Sequence, residues 1–283
     1  MKELIQMAEN APKCPLNEQT RYIAVTDSHV NKRDARDEFA CHTGLFFSFM
    51  EHIQNLIPKV TGVFYGGDIA DLWEARFKDI YKHNVNQRVF SYIRNNVVKI
   101  LRGNHDRKLD QHLIKIGFTL NDFADAVWIG PNILMMHGDR PFDVFNRGGW
   151  LTTVVRWFVK YIWVFLQKLG LDSESPHETS KRPNRIINLK SILKLAVVGL
   201  SKHYKKPIVL MVGHFHDAGI ETCRGYGALI DLGCWTHKDS VTYADIDDRK
   251  IVLMRMYDNG KKEEIGVYHL PNKVDCVDFS VGP

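Results

Sequence analysis

Short apolar runs recur along the chain, and most of them stop abruptly at small polar clusters. Residues 22–26, 62–65, 97–101, 133–136 and 208–212 lack strict apolar–polar alternation and are bounded by Gly and polar turns. Such runs read as strands buried on both faces. Longer stretches of helical character separate them, for example residues 36–56 and 78–95. After His216 the pattern becomes β-rich, over 228–232, 240–246, 251–257 and 265–270. Strands alternating with helices, then a run of strands, predict an α/β protein with two packed sheets flanked by helices. Residues 1–20 have charged and polar side chains throughout and no apolar stretch of the secretory-leader kind. They read as a short helix or arm ahead of the first strand.

Residues 140–206 break this rhythm. A dense apolar helix is expected from Trp150 to Leu169, then a polar loop over 172–185 with two prolines, then a second apolar helix over 186–200. At 100° per residue, Thr152, Arg156, Lys160 and Gln167 share one narrow stripe of the first helix. Leu151, Val154, Val155, Phe158, Tyr161, Ile162, Phe165 and Leu169 cover the opposite side. A wide aromatic-rich apolar face with a basic edge is the pattern of a helix lying in a membrane interface. Arg156, Lys160 and Lys168 make a full membrane span expensive. Packing of the two helices on each other and on the sheets is the plainer reading. Residues 140–206 therefore read as a helical insertion, or lid, in a core of 1–139 and 207–283.

Charge sharpens that division. The net charge of +5 is uneven, because residues 140–206 hold 13 Lys and Arg against 4 Asp and Glu, a local +9. The rest of the chain is then about −4, so the basic character speaks of the insertion's partner. Five scattered cysteines without a Cys-x-x-Cys pair fit free thiols in a reducing compartment. That implies a cytoplasmic location, and the interfacial pattern of the insertion adds the expectation of a peripheral one on the inner face of the cytoplasmic membrane.

The polar clusters carry the chemistry. They are Asp27-Ser28-His29, Gly67-Asp68, Gly103-Asn104-His105-Asp106, His137-Gly138-Asp139 and Gly213-His214-Phe215-His216. All five end an expected strand, so their side chains gather at the carboxyl edge of a sheet, where open α/β proteins place their sites. Carboxylate, amide and imidazole donors suit Mn, Fe, Zn or Mg rather than a soft thiolate metal. Asp27 and His29 can face one ion if the backbone bends between them. Gly66 and Gly67 let the chain approach closely at Asp68, and the neutral carbonyl of Asn104 suits an ion that already has a carboxylate. Taken singly, each cluster could be an ordinary turn.

In order and chemistry the five clusters resemble the calcineurin-like metallophosphoesterase family over residues 21–237. The resemblance implies a four-layer αββα sandwich and two divalent ions, Mn first among Mn, Fe, Zn and Mg. It implies Asp27, His29, Asp68 and His216 on one ion, and Asp68, Asn104, His137 and His214 on the other. Such a pair activates a water for attack on phosphorus. His105 is then expected to protonate the leaving oxygen or steady the phosphoryl charge, with Asp106 fixing its tautomer and Asp139 orienting His137. Arg102, Arg107 and Arg140 are candidates for a second phosphate. Trp157, Phe158 and Phe165 are candidates for lipid.

Within the family, the apolar basic insertion and the stretch Gly67-Asp68-Ile69-Ala70-Asp71-Leu72-Trp73-Glu74 are similar to the UDP-2,3-diacylglucosamine hydrolases of lipid A synthesis. Those enzymes cleave a pyrophosphate to UMP and a lipid 1-phosphate. His105 stands where the best-known of them have Arg, and Asp217-Ala218-Gly219 lacks their proline. The expected partners are a phosphate-containing, lipid-linked substrate and a membrane surface met by 150–200, with nucleic acid disfavoured because the insertion is too apolar. Two other readings are a generic phosphodiesterase or phosphatase for soluble nucleotides or nucleic acid, and a non-catalytic metal-binding scaffold.

Overall fold

The structure, a computed structural model, describes residues 1–34, 37, 39, 42–56, 59–139, 183–237 and 239–271, with only the backbone described over 183–189. The first expected helix of the insertion, at 150–169, lies outside the described residues, as do Arg140, Trp157, Phe158 and Phe165.

Two sheets form. One contains β2 (Tyr22–Val25), β3 (Gly62–Tyr65), β4 (Val97–Leu101) and β5 (Phe123–Ala124), all parallel. An antiparallel meander of β11 (Ser240–Ile246), β12 (Lys250–Tyr257) and β13 (Lys262–His269) joins it through β11 and β2. The other has the order β1 (Lys13–Cys14), β6 (Ala126–Ile129), β7 (Ile133–Met136), β8 (Ile208–Val212), β10 (Gly227–Asp231), β9 (Gly219–Cys223). Here β7, β8 and β10 run parallel.

The unbroken apolar runs are explained by what covers each face. Alternate residues of one strand enter different cores: Ile23 and Val25 of β2 pack outward, whereas Tyr22 and Ala24 face the second sheet. The outward core is closed by α2 (Thr43–Gln54), α4 (Asn84–Asn96) and the short α5 (Leu109–Leu113), through Phe46, Phe49, Met50, Val89, Phe90, Ile93 and Leu113. On the far side, α1 (Lys2–Asn10) and α6 (Pro183–Tyr204) cover Trp128, Leu134, Leu210 and Leu229 with Leu4, Ala8, Leu193, Ala196, Val197 and Leu200. Three cores between four layers make the expected αββα sandwich.

Several boundaries differ from expectation. The helix expected over 36–56 is α2, Thr43–Gln54; ahead of it Asp37 accepts the Arg33 N–H and donates its own N–H to the Asp34 carbonyl. The helix expected over 78–95 is two, α3 (Phe77–Tyr81) and α4. The Asn86 amide takes the Ile80 carbonyl at 2.9 Å, and the Gln87 amide takes that of Tyr81, where a continuous helix would use backbone N–H groups. The second insertion helix is longer than expected, starting at Pro183, whose fixed φ suits a first turn. It is followed by Lys205 at φ +53. No helix among the described residues is long and apolar enough to cross a membrane.

Candidate metal centre

The ladder between β2 and β3 does not stop where the strands do. Asp27 donates its N–H to Gly67, His29 to Asp68, and Val30 to Ile69 at 2.7 Å, while Asp71 donates back to Val30. This irregular continuation sets Asp27 and His29 beside Asp68. Asp27, His29, Asp68, His214 and His216 all have left-handed backbone, with φ between +47 and +73. That region costs a residue with a Cβ about 1–3 kcal/mol and clusters at functional sites. The bend expected between Asp27 and His29 is made by two such residues.

Close approach of the loops has its own requirement. Gly67 sits at φ +99 with its α-carbon against the His137 ring, and a Cβ on Gly103 would land on the Asp68 carboxylate. Glycine is the residue that lets these segments meet.

The side chains converge in three overlapping groups whose donor atoms lie within 4.8 Å of one another: Asp27, His29 and His216; Asp68, His137 and His214; and His29, Asp68 and His105. His216 Nε2 is 3.1 Å from Asp27 Oδ1, and His137 Nε2 is 3.1 Å from Asp68 Oδ2 and 3.2 Å from Asn104 Oδ1. Asp27, His29, Asp68 and His137 are buried; Asn104, His214 and His216 are partly open. All seven residues expected to hold metal are thus at one place.

The electrostatics show what the cluster wants. Burial works against the Asp27 charge, but His137, His216 and His29 outweigh it and hold the carboxyl well below its usual range. Asp68 is held low in the same way, chiefly by His137 and His105 against burial. In turn, burial opposes a proton on His29, yet Asp27 and Asp68 lift it to about 9, and His137 is raised for the same reason. His214 goes the other way, to about 4, because burial and the neighbouring His137 both disfavour its proton. Carboxylates that hold protons on buried imidazoles would hold divalent cations in their place, releasing those protons. The donors are hard oxygens and imidazoles, and they fit such ions.

Two orienting roles differ from expectation. The Asp106 carboxylate accepts the backbone N–H groups of Ile69 at 2.7 Å and Gly103 at 2.9 Å, so it staples two ligand loops instead of holding His105. Burial and the nearby Asp68 push its carboxyl up to about 7. His105 Nδ1 faces Asp71 Oδ1 at 3.1 Å, and its ring lies under Trp73, with centroids 3.8 Å apart. His137 Nδ1 bonds the Gly66 carbonyl, while Asp139 takes Arg107 at 2.9 Å. Arg102 is paired with Asp110 and Asp125.

Asp71 and Trp73 follow Asp68 within five residues, a spacing visible in the sequence, but their contact with His105 is not. Cys234 had no sequence signal. Its buried thiol bonds His216, and despite burial His216 and His237 hold it well below the usual thiol range.

No family model and no curated protein matches the chain. Among solved structures it is similar to a dimetal phosphatase from Danio rerio, at 14% identity and a TM-score of 0.43 over 88% of this chain and 99% of that one. It is also similar to vacuolar protein sorting 29 from Cryptosporidium parvum, at 13% and 0.40 over 89% and 98%. A conserved uncharacterized protein from Streptococcus pneumoniae TIGR4, described as a predicted phosphoesterase, aligns at 14% and 0.36 over 89% and 98%.

Proposed function

We propose that the protein is a two-metal hydrolase of phosphate esters or pyrophosphates. The observation that carries this reading is the pair of donor groups, Asp27/His29/His216 and Asp68/His137/His214, side by side at the carboxyl edges of two sheets. Asp68 also lies near His29 of the first group and would be the shared carboxylate, and Asn104 would add a neutral oxygen to the second. Two bound divalent ions would supply Lewis-acid charge at the phosphoryl group and a water made acidic at neutral pH.

The chain's own residues do the rest. Gly67 and Gly103 keep the loops close enough for the donors to converge. The Asp106 carboxylate fixes the loops that carry Asp68 and Asn104. Asp71, as a carboxylate, accepts from His105 Nδ1, so that Nε2 carries the transferable position; Trp73 holds the ring in plane. From there His105 gives a proton to the departing oxygen, and a positioned acid of this kind is worth about 10²–10⁴ in rate.

The proposed substrate is lipid-linked, such as UDP-2,3-diacylglucosamine, and the proposed location is peripheral, on a membrane surface. What supports this is the apolar, basic pattern of 150–200 and the stretch from Gly67 to Glu74. Mn is the proposed metal, and 140–206 the proposed lid.

The test is Mn-dependent hydrolysis of UDP-2,3-diacylglucosamine, run beside bis(p-nitrophenyl) phosphate and p-nitrophenyl phosphate, with His105→Ala as control. Release of UMP, lost in the control, supports the lipid pyrophosphatase. Turnover of the generic esters alone keeps the two-metal hydrolase and removes the lipid substrate. Stoichiometric Mn binding without any turnover would make the centre a scaffold. For the membrane reading, polar replacements of Trp157, Phe158 and Phe165 should release the protein from anionic vesicles while soluble-ester hydrolysis persists.

A further inference from the structure

Lys190 lies on α6 and is not part of either donor group, yet its ammonium reaches the loop that ends in His216. Nζ is 2.7 Å from Asp217 Oδ2, 3.1 Å from the Asp217 carbonyl oxygen and 3.3 Å from Asp231 Oδ2. An ammonium has three donors, and three acceptors surround this one. Lys190 is 13% exposed and Asp231 3%, so that ion pair is enclosed, whereas the Asp217 carboxylate on the other side is largely open to solvent.

The two acids sit at telling places. Asp217 directly follows His216. Asp231 ends β10 in register with Val212, the last residue of β8, and its other oxygen accepts the Gly233 N–H at 3.0 Å. Lys190 therefore ties the outer helix to the edge of the sheet and, through a backbone carbonyl, to the residue after a proposed ligand. His216 needs that support. At φ +58 its backbone has no preference for the conformation that aims the ring at Asp27, and such a residue persists only where its surroundings impose it.

We infer that Lys190 is a positioning residue for the first donor group: it clamps the peptide after His216 and so couples the helix ending the 140–206 segment to metal affinity. The inference rests on the two-metal reading, and its test separates the two. Full-length protein stripped with a chelator is titrated calorimetrically with Mn, as wild type, Lys190→Met, Asp217→Ala and the double variant.

Wild type should take up two equivalents; fewer would overturn the two-metal reading and this inference with it. Lys190→Met should weaken one equivalent by about 10- to 100-fold, the usual cost of losing a group that orients a ligand, and spare the other. Asp217→Ala keeps the Lys190–Asp231 pair and so the helix contact. It should weaken the same equivalent less, with the metal-free melting temperature unchanged. The double variant should lose less than the product of the singles. Two wild-type equivalents with unchanged affinities in a folded Lys190→Met, or losses that multiply independently, would overturn the clamp and leave the two-metal reading standing.

Discussion

Five of the seven proposed ligands adopt left-handed backbone, and this local cost explains why neighbouring residues have so little freedom to change. Gly103→Ala would drive a methyl group into the buried Asp68 carboxylate. It should destabilise the protein by about 1–3 kcal/mol, as overpacking does, and lower Mn affinity. Urea denaturation in chelator and a Mn titration check both, and a variant with wild-type values would mean that the loops have room to spare. Asp71→Asn should cut kcat by about 10²-fold or more while leaving Mn binding intact, since it keeps an oxygen for the Trp73 and Glu74 N–H groups and removes the charge that faces His105 Nδ1. The loss should be smaller for a substrate with a good leaving group such as p-nitrophenolate, which needs little protonation; an equal loss for all substrates would deny His105 the role of acid. The donors themselves were readable, because Gly-Asp, Gly-Asn-His-Asp and His-x-His each follow an apolar run. The Asp71–His105 pair, 34 residues apart in the chain, is made by the meeting of two loops and left no local trace.

At the scale of elements, periodicity identified strands far better than helix ends. β3, β4, β7, β8 and β11 fall where the apolar runs begin and end. The two-residue strands β1 and β5 are too short to carry a period, and β6 and β9 were not singled out as strands. The helix expected over 78–95 divides because the Asn86 and Gln87 side chains claim carbonyls that a continuous helix would have used. In α6 the apolar residues run most of the way round, and only packing decides which of them are core. Leu200 is fully buried and Leu195 is 67% exposed. Leu200→Ala should cost about 2–5 kcal/mol, and Leu195→Ala no more than about 0.5, by chemical denaturation. Similar losses at both positions would mean that the outward face of α6 is also covered.

For the whole molecule, the buried charges make stability depend on pH with a sign that metal should reverse. His29 is raised from 6.5 to about 9, so its contribution is full below pH 6.5 and disappears as pH rises through about 9. His137 and His216 act in the same direction. Asp231, which burial lifts to about 7 against the pull of Lys190, adds a loss of stability as pH climbs from the carboxylate range to neutrality. In chelator the protein should therefore be less stable at pH 9 than at pH 6.5, by about 3 kcal/mol from His29 alone. With saturating Mn the metal-induced stabilisation should instead grow over the same interval, because each ligand must shed its proton. Urea midpoints at the two pH values, with and without Mn, decide it; slopes of equal sign would separate the titrating histidines from metal binding. Pattern and residue chemistry alone determined the two-sheet architecture and the edge where the polar clusters gather, because burial on both faces and strand-end placement are written in local order; the choice of seven proposed donors among them came from the family resemblance. Which donors share a group, that Asp71 rather than Asp106 partners His105, and that Lys190 reaches the His216 loop were decided only by tertiary structure. Those facts depend on distances between segments that meet only when the two sheets pack.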